Sequence, residues 1–472
     1  MWHLKKMEHD VVEHDETLLD ITSETARKNR PSSLFYIWFA SNLTVGDFFL
    51  GVVLKDYYAL PFNYMLITLA LANIAGGLLI GIMSYYGPVY GKGQMEVSKD
   101  FFGITGGRIF SVLQFVNTIG WLTVNLIIAA TALSLIISVQ GTYGMVVYGI
   151  GVNYLYLVAV LITLAVLYLT VIYGQKSIKM FEWAMALILG ILFLHMAIVI
   201  YQTGPQYVNN IGSSWSLYTM AGAFMLSFSY IMSWGPYASD YSRYVKDTVK
   251  NRRRSLIFAM AGSGIASFLV EVIAYVTAAN INLGGNETLN ATLTSIFLYT
   301  FGYFWIIGAM AFFLGGLSAN SINLYSNIMS ARAVGAKFGK NIMIAVVLIV
   351  ITVLSIYFYS TFANYFEGFL YVLDYWITPW LGVMIVEFFI AKKKTTSSGI
   401  NWNPVLAYII GIAASYPFMD TITSFFPFNV PFYGITQGAD ISYGVSFILA
   451  IVLTILFERF LPWRKNTSAI AA

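Results

Sequence analysis

The sequence contains no cysteine, which excludes a disulfide framework, a thiolate metal site and a cysteine nucleophile. Histidine is nearly missing as well. His3, His9 and His14 lie near the N-terminus and His195 stands alone, so no histidine set is available for a catalytic metal. Charge is scarce: 10% of the 472 residues are Asp, Glu, Lys or Arg, with a formal net charge of +4. The basic residues form no patch that could follow a phosphate backbone, so nucleic acid is not an expected partner. The first 30 residues are polar and mixed in sign, without the apolar core of a cleavable signal peptide.

What remains is oil. Hydrophobic residues make up 58% of the chain and aromatic residues 17%, with a mean hydropathy of +0.72. This composition indicates an all-α polytopic membrane protein. A crossing needs about 20 apolar residues. The sequence offers twelve such segments, near 33–55, 61–86, 109–139, 152–173, 180–201, 216–239, 254–279, 300–332, 341–359, 362–391, 404–424 and 441–461. Lysine and arginine fall in the N-terminal stretch and after the second, fourth, sixth, eighth, tenth and twelfth segments, with Lys55 alone on the other side. That alternation predicts a multi-pass protein of the plasma membrane with both tails, 1–32 and 462–472, in the cytoplasm. Asn286 and Asn290 begin glycosylation-type sequons on the outward side.

Two spans are interrupted at matching places. The first reads IWFASNLTVGDFFLGVVL, with Asn42, Thr44, Gly46, Asp47 and Gly51 in an apolar run. The sixth reads FMLSFSYIMSWGPYASDY, with Ser227, Ser229, Ser233, Gly235 and Pro236. Irregular backbone at membrane depth is tolerated only against protein or a water-filled cavity. Matching breaks predict two inverted five-helix repeats, 33–201 and 216–391, with a site between them and two peripheral helices at 404–461. In the third span, Trp121 and Asn125 share one helical face; an aromatic plane beside an amide suits a flat heterocycle, although helix packing explains the pair equally well. In the eighth, LGGLSANSINLYSN gathers Gly315, Gly316, Ser318, Asn320 and Asn323.

Taken together, WGPYASDYSRY, GWLTVN, SANSINLYS and the tenth-span WITPWLGVMIVEFF resemble the nucleobase:cation symporter-1 family of cytosine, purine, allantoin and hydantoin permeases, from Trp38 to about Lys392. The resemblance implies a LeuT-like fold of ten core and two peripheral helices, and cation-coupled symport of a nucleobase or related heterocycle. It implies that Trp121 stacks on the substrate and Asn125 hydrogen-bonds its edge. Asn323 matches a substrate asparagine, with Asn320 beside it, and Thr44 belongs to the same set. For the second aromatic two registers are open, Ser233 with Trp234 or Tyr230 with Ile231; members sharing the YASDY string favour the first, with backbone amides of the break beside the ring.

The resemblance also implies a sodium site on carbonyls of Ala40, Leu43 and Gly315 and the hydroxyl of Ser318. Ala319 stands where a second hydroxyl is expected, a departure that favours proton coupling or a weakened sodium site. For a proton, Asp47 and Glu271 are the candidate carriers, because a carboxyl inside a membrane is paired or functional. Glu182, Glu367, Asp374 and Glu387 read as structural, and no cofactor beyond Na+ or H+ is expected. The alternative is an amino-acid or amine permease of the same architecture, for which Gly46 and Gly51 make a poor carboxylate cradle. No pairing of acids, histidines or nucleophile and base suggests an enzyme.

Overall fold

The computed structural model describes residues 21–138, 153–172, 175–203, 215–281, 288–391, 399–419 and 439–461, with only the backbone described at 175–180. The described residues form sixteen α-helices joined by short 3₁₀ turns, with no strand among them. In chain order these are α1 (Ser33–Asn42), α2 (Val45–Tyr58), α3 (Phe62–Tyr90), α4 (Gln94–Phe102), α5 (Ile104–Ile137), α6 (Tyr154–Ile172), α7 (Gln175–Thr203) and α8 (Leu217–Met232). They continue as α9 (Ala238–Ser242), α10 (Val249–Asn280), α11 (Leu289–Phe301), α12 (Trp305–Val334), α13 (Lys340–Phe358), α14 (Phe362–Phe389), α15 (Trp402–Ser415) and α16 (Ser442–Phe460).

Eight described helices are long and apolar enough to cross a membrane, or nine if the bent pair α1 and α2 counts as one span. The difference from the expected twelve has three sources. Helix α8 has 16 residues and α15 has 14, short of a crossing by length alone. The stretch Lys340–Phe389 passes as one unit of 50 residues, yet at 1.5 Å per residue it would run about 75 Å, more than twice the hydrocarbon thickness. The eighth expected segment begins differently as well. Helix α11 precedes it, turned at Gly302, whose φ is 52°. Asn290 lies in the first turn of α11, while Asn286 is outside the described residues.

The centre is built from α5, α12 and the inner half of the first span. Helix α5 is the most buried of the long apolar helices and α16 the least, and α5 packs extensively against α12. The break between α1 and α2 follows from local chemistry. Asn42 turns its Nδ2 back to the Trp38 carbonyl at 2.8 Å. Thr44 is extended, with φ −123° and ψ 159°, and caps α2 by accepting the Asp47 N–H. The two halves meet at 53°. Gly51 then lets α2 press on α10: a Cβ there would lie 2.5 Å from the Glu271 carbonyl oxygen.

The other break behaves differently. Helix α8 ends at Met232, Ser233 and Trp234 form a tight turn, and Gly235–Tyr237 is a 3₁₀ turn leading into α9. Pro236, which has no N–H to give, sits in its first turn. On the predicted cytoplasmic side, Asp240 of α9 accepts the Gln94 N–H at 2.8 Å and the Ser239 N–H reaches Gln94 Oε1 at 3.1 Å. The segment before α1 crosses the same face. The Thr22 N–H donates to the Gly91 carbonyl and the Asn29 N–H to the Tyr244 carbonyl, with a parallel bridge from Asn29 to Val245.

Candidate functional site

Trp121, in the middle of α5, meets three rings edge-on. Tyr230 of α8 is 5.2 Å away at 89°, Phe369 of α14 is 5.2 Å away at 79°, and Phe366 is 6.2 Å away at 72°. None of the three lies parallel to the indole, so none takes the stacking position that a flat ligand would use. One turn on, Asn125 Nδ2 donates to the Trp121 carbonyl at 3.0 Å, which turns Oδ1 toward α2. There the chain has Gly46. A Cβ on Gly46 would lie 3.2 Å from Asn125 Oδ1, 3.8 Å from Thr44 Oγ1 and 4.0 Å from the Trp121 ring. Thr44 and Tyr230 close the group, their hydroxyls 2.7 Å apart. The first, third, sixth and tenth expected spans thus meet at one aromatic cage with an amide oxygen on its wall.

Trp234 lies outside this cage. Its ring packs on Trp38 at 5.9 Å and on Tyr237 at 5.2 Å, and its buried Nε1–H has no partner. The amides expected to be free beside it are occupied: Ser233 N–H donates to Ser229 and Trp234 N–H to Ile231. The Ser233 hydroxyl is likewise spent on the Tyr230 carbonyl at 2.6 Å. The tight turn has kept the hydrogen bonds that an open break would have released. Tyr230, of the register set aside from sequence, is the sixth-span ring against Trp121.

The asparagines of α12 line up beside this region. Asn320 Nδ2 donates to the Leu122 carbonyl at 3.0 Å, and its buried Oδ1 has no partner. Asn323 Oδ1 accepts the Tyr237 hydroxyl at 3.0 Å, so it reaches the cluster of Trp234 rather than that of Trp121.

Three of the four residues expected around a cation, Leu43, Gly315 and Ser318, meet α7, and Ala40 is bonded to the first of them. Leu43 reaches Gly190, and a Cβ on Gly315 would touch both Val45 and Leu189 at 3.1 Å. The Ala40 carbonyl accepts the Leu43 N–H at 3.2 Å, at the C-terminal end of α1. The Ser318 hydroxyl donates to Glu182 Oε1 at 2.8 Å. Reading Glu182 as a structural residue of a span end missed this contact. Ala319 was the available signal, since an oxygen missing from one helix can be supplied by another.

Asp47 and Glu271 are both fully buried and meet at one serine. Ser267 Oγ lies 3.0 Å from Asp47 Oδ1 and 3.3 Å from Glu271 Oε1. Ser227 donates to Glu271 at 2.7 Å and Asn73 Nδ2 does so at 2.7 Å, while Asp47 Oδ2 has no hydrogen-bond partner. Ser227 had been read only as a polar interruption of the sixth span. Among the described residues no group of three or more His, Cys, Asp and Glu could hold a metal ion.

Residues 21–446 match the profile of the permeases for cytosine/purines, uracil, thiamine and allantoin. A Bacillus subtilis protein provisionally named a purine-cytosine permease is 23% identical over 456 residues, covering 90% of this chain and 92% of the relative. The purine-cytosine permease of Emericella nidulans is 23% identical over 418 residues, covering 83% and 77%. Among solved structures, the nucleobase-cation-symport-1 transporter Mhp1 with bromovinylhydantoin bound superposes with a TM-score of 0.71 at 17% identity, covering 93% of this chain and 94% of that one. A Na+-coupled sialic acid symporter gives 0.57 at 15% identity, covering 94% and 93%. The relatives are permeases rather than enzymes, and the apolar helices fit an integral membrane transporter. With a match that spans nearly its whole length, the chain belongs to the family of permeases for cytosine/purines, uracil, thiamine and allantoin.

Proposed function

We propose that the protein carries a purine, pyrimidine or hydantoin-like ring across the plasma membrane by cation-coupled symport and alternating access. The observation that carries this reading is the cage of Trp121, Tyr230, Gly46 and Asn125. A flat ring stacked on Trp121 gains about 1–3 kcal/mol from the aromatic contact, largely irrespective of its identity. The Asn125 amide, fixed by its bond to Trp121, then selects by presenting an acceptor to an N–H edge, worth about 0.5–1.5 kcal/mol net. Gly46 keeps the space between them open. Thr44 links Tyr230 to the cap of α2, so a ring that displaces Tyr230 acts on the broken span.

Trp234, Ser233, Asn320 and Asn323 form the second tier of this site. The partnerless Trp234 Nε1–H and Asn320 Oδ1 are a donor and an acceptor of the kind that a heterocycle edge requires. In this reading 33–201 and 216–391 are the two inverted repeats, 404–461 is peripheral, and the tails face the cytoplasm. Two carboxyls around the Ser267 hydroxyl, Asp47 and Glu271, carry a proton between the two sides, because two bare charges at that depth are costly. Ala40, Leu43, Gly315 and Ser318 offer the hard oxygen ligands that suit a sodium ion.

Uptake into proteoliposomes of radiolabelled cytosine, uracil, hypoxanthine, allantoin and hydantoin tests the proposal, with an amino acid as control. Saturable uptake of at least one heterocycle is expected. Uptake of the amino acid alone would overturn it.

A further inference from the structure

Three elements converge beside the first break: the end of α1, the Gly315–Ser318 turn of α12, and α7. Leu189 of α7 lies against Gly315, and Glu182, seven residues earlier on the same face of α7, receives the Ser318 hydroxyl at 2.8 Å. Glu182 stands at the beginning of the apolar stretch Phe181–Thr203 and keeps a minor part of its surface exposed. Among the described side chains no lysine or arginine pairs with it. From α9 the Tyr241 ring is within electrostatic reach; from α12 the neighbour is Ser318. An unpaired carboxylate at a membrane boundary is expensive unless it has a cation to hold. The chain ends of broken helices supply carbonyl oxygens for such cations, and a carboxylate adds the negative charge that carbonyls and hydroxyls lack.

We propose that the Glu182 carboxylate, with the Ser318 hydroxyl and the carbonyls at the end of α1, holds the coupling cation, supplying from α7 the oxygen that Ala319 does not supply from α12. The inference rests on the cation-coupled reading above and names the residue on which the coupling charge sits. The occupant is a sodium ion, which suits a shell of carboxylate, hydroxyl and carbonyl oxygens; the proton-carrying pair Asp47 and Glu271 is a separate site.

The test uses full-length protein in detergent, without substrate. The thermal midpoint is followed as NaCl replaces choline chloride at constant pH and ionic strength. Wild-type protein is expected to be stabilised by sodium, and Glu182→Gln to lose that response, with an apparent sodium affinity at least tenfold weaker. Glu182→Asp should retain part of the response, and Ser318→Ala should weaken it several-fold; these two carry the test if Glu182→Gln does not fold. Adding Ala319→Ser to Glu182→Gln should restore part of the sodium response. A Glu182→Gln protein that responds to sodium like wild type, or a wild type with no sodium response, would overturn the proposal. A normal cation response in a protein that transports no heterocycle would instead sink the substrate assignment and leave this one standing.

Discussion

The hydroxyl of Thr44 lies 2.7 Å from the hydroxyl of Tyr230, joining the cap of a broken helix to a ring of the aromatic cage. One residue ends the gap in the first span, and the other packs on Trp121. If this bond couples the two, Thr44→Ala and Tyr230→Phe should each weaken equilibrium binding of the transported heterocycle about 3- to 10-fold, the size of one net hydrogen bond. The double variant should be no worse than the weaker single one. Additive losses in a radioligand double-mutant cycle would show that the two act independently.

Trp121→Ala should lower affinity by about 5- to 150-fold, the range of one lost stacking contact, while the folded protein still elutes as wild type in size-exclusion chromatography. Tyr230→Ala should cost more affinity than Trp234→Ala, because only Tyr230 touches Trp121. The reverse order would restore the register built on Trp234.

Gly46→Ala places a methyl 3.2 Å from Asn125 Oδ1. A several-fold loss of affinity with an unchanged thermal midpoint is expected, and larger side chains should abolish binding. Unchanged affinity in Gly46→Val would remove this position from the site.

For the buried acids, Asp47→Asn and Glu271→Gln should abolish accumulation driven by a pH gradient while leaving substrate exchange across the membrane at equal pH. Exchange needs the binding site but no net proton movement. Concentrative uptake that survives in both variants would exclude the pair as proton carriers.

Gly51→Ala tests the packing that brings those acids together. A methyl 2.5 Å from the Glu271 carbonyl oxygen must push α2 from α10, at about 1–3 kcal/mol for an overpacked core position. The expected result is a lower thermal midpoint; a wild-type midpoint would mean that the helices part freely there.

The broken first span was legible because its cause is local: a threonine cap and an asparagine that folds back on its own helix leave a mark in the letters. The pairing of Trp121 with Asn125 was legible for the same reason, as one turn of one helix. The choice between Tyr230 and Trp234 was not. They are four residues apart and share a face of α8 extended, so what separates them is depth against α5, a property of two helices together. The spent amides of Ser233 and Trp234 depend on how tightly the turn winds before Pro236. Glu182 escaped notice because it stands far from Ser318 in sequence, and the meeting of Asp47 with Glu271 at Ser267 is likewise made by α2 and α10 folding together.

The backbone tie made by the segment before α1 has a property that side-chain contacts lack. The Thr22 to Gly91 and Asn29 to Tyr244 bonds run from backbone to backbone, so any residue with an N–H can make them. Mutational drift in this segment can erase every familiar letter and leave the fastening intact. Proline alone, placed at position 22 or 29, would withdraw the donor, which makes the strap nearly invisible to sequence comparison and easy to cut on purpose.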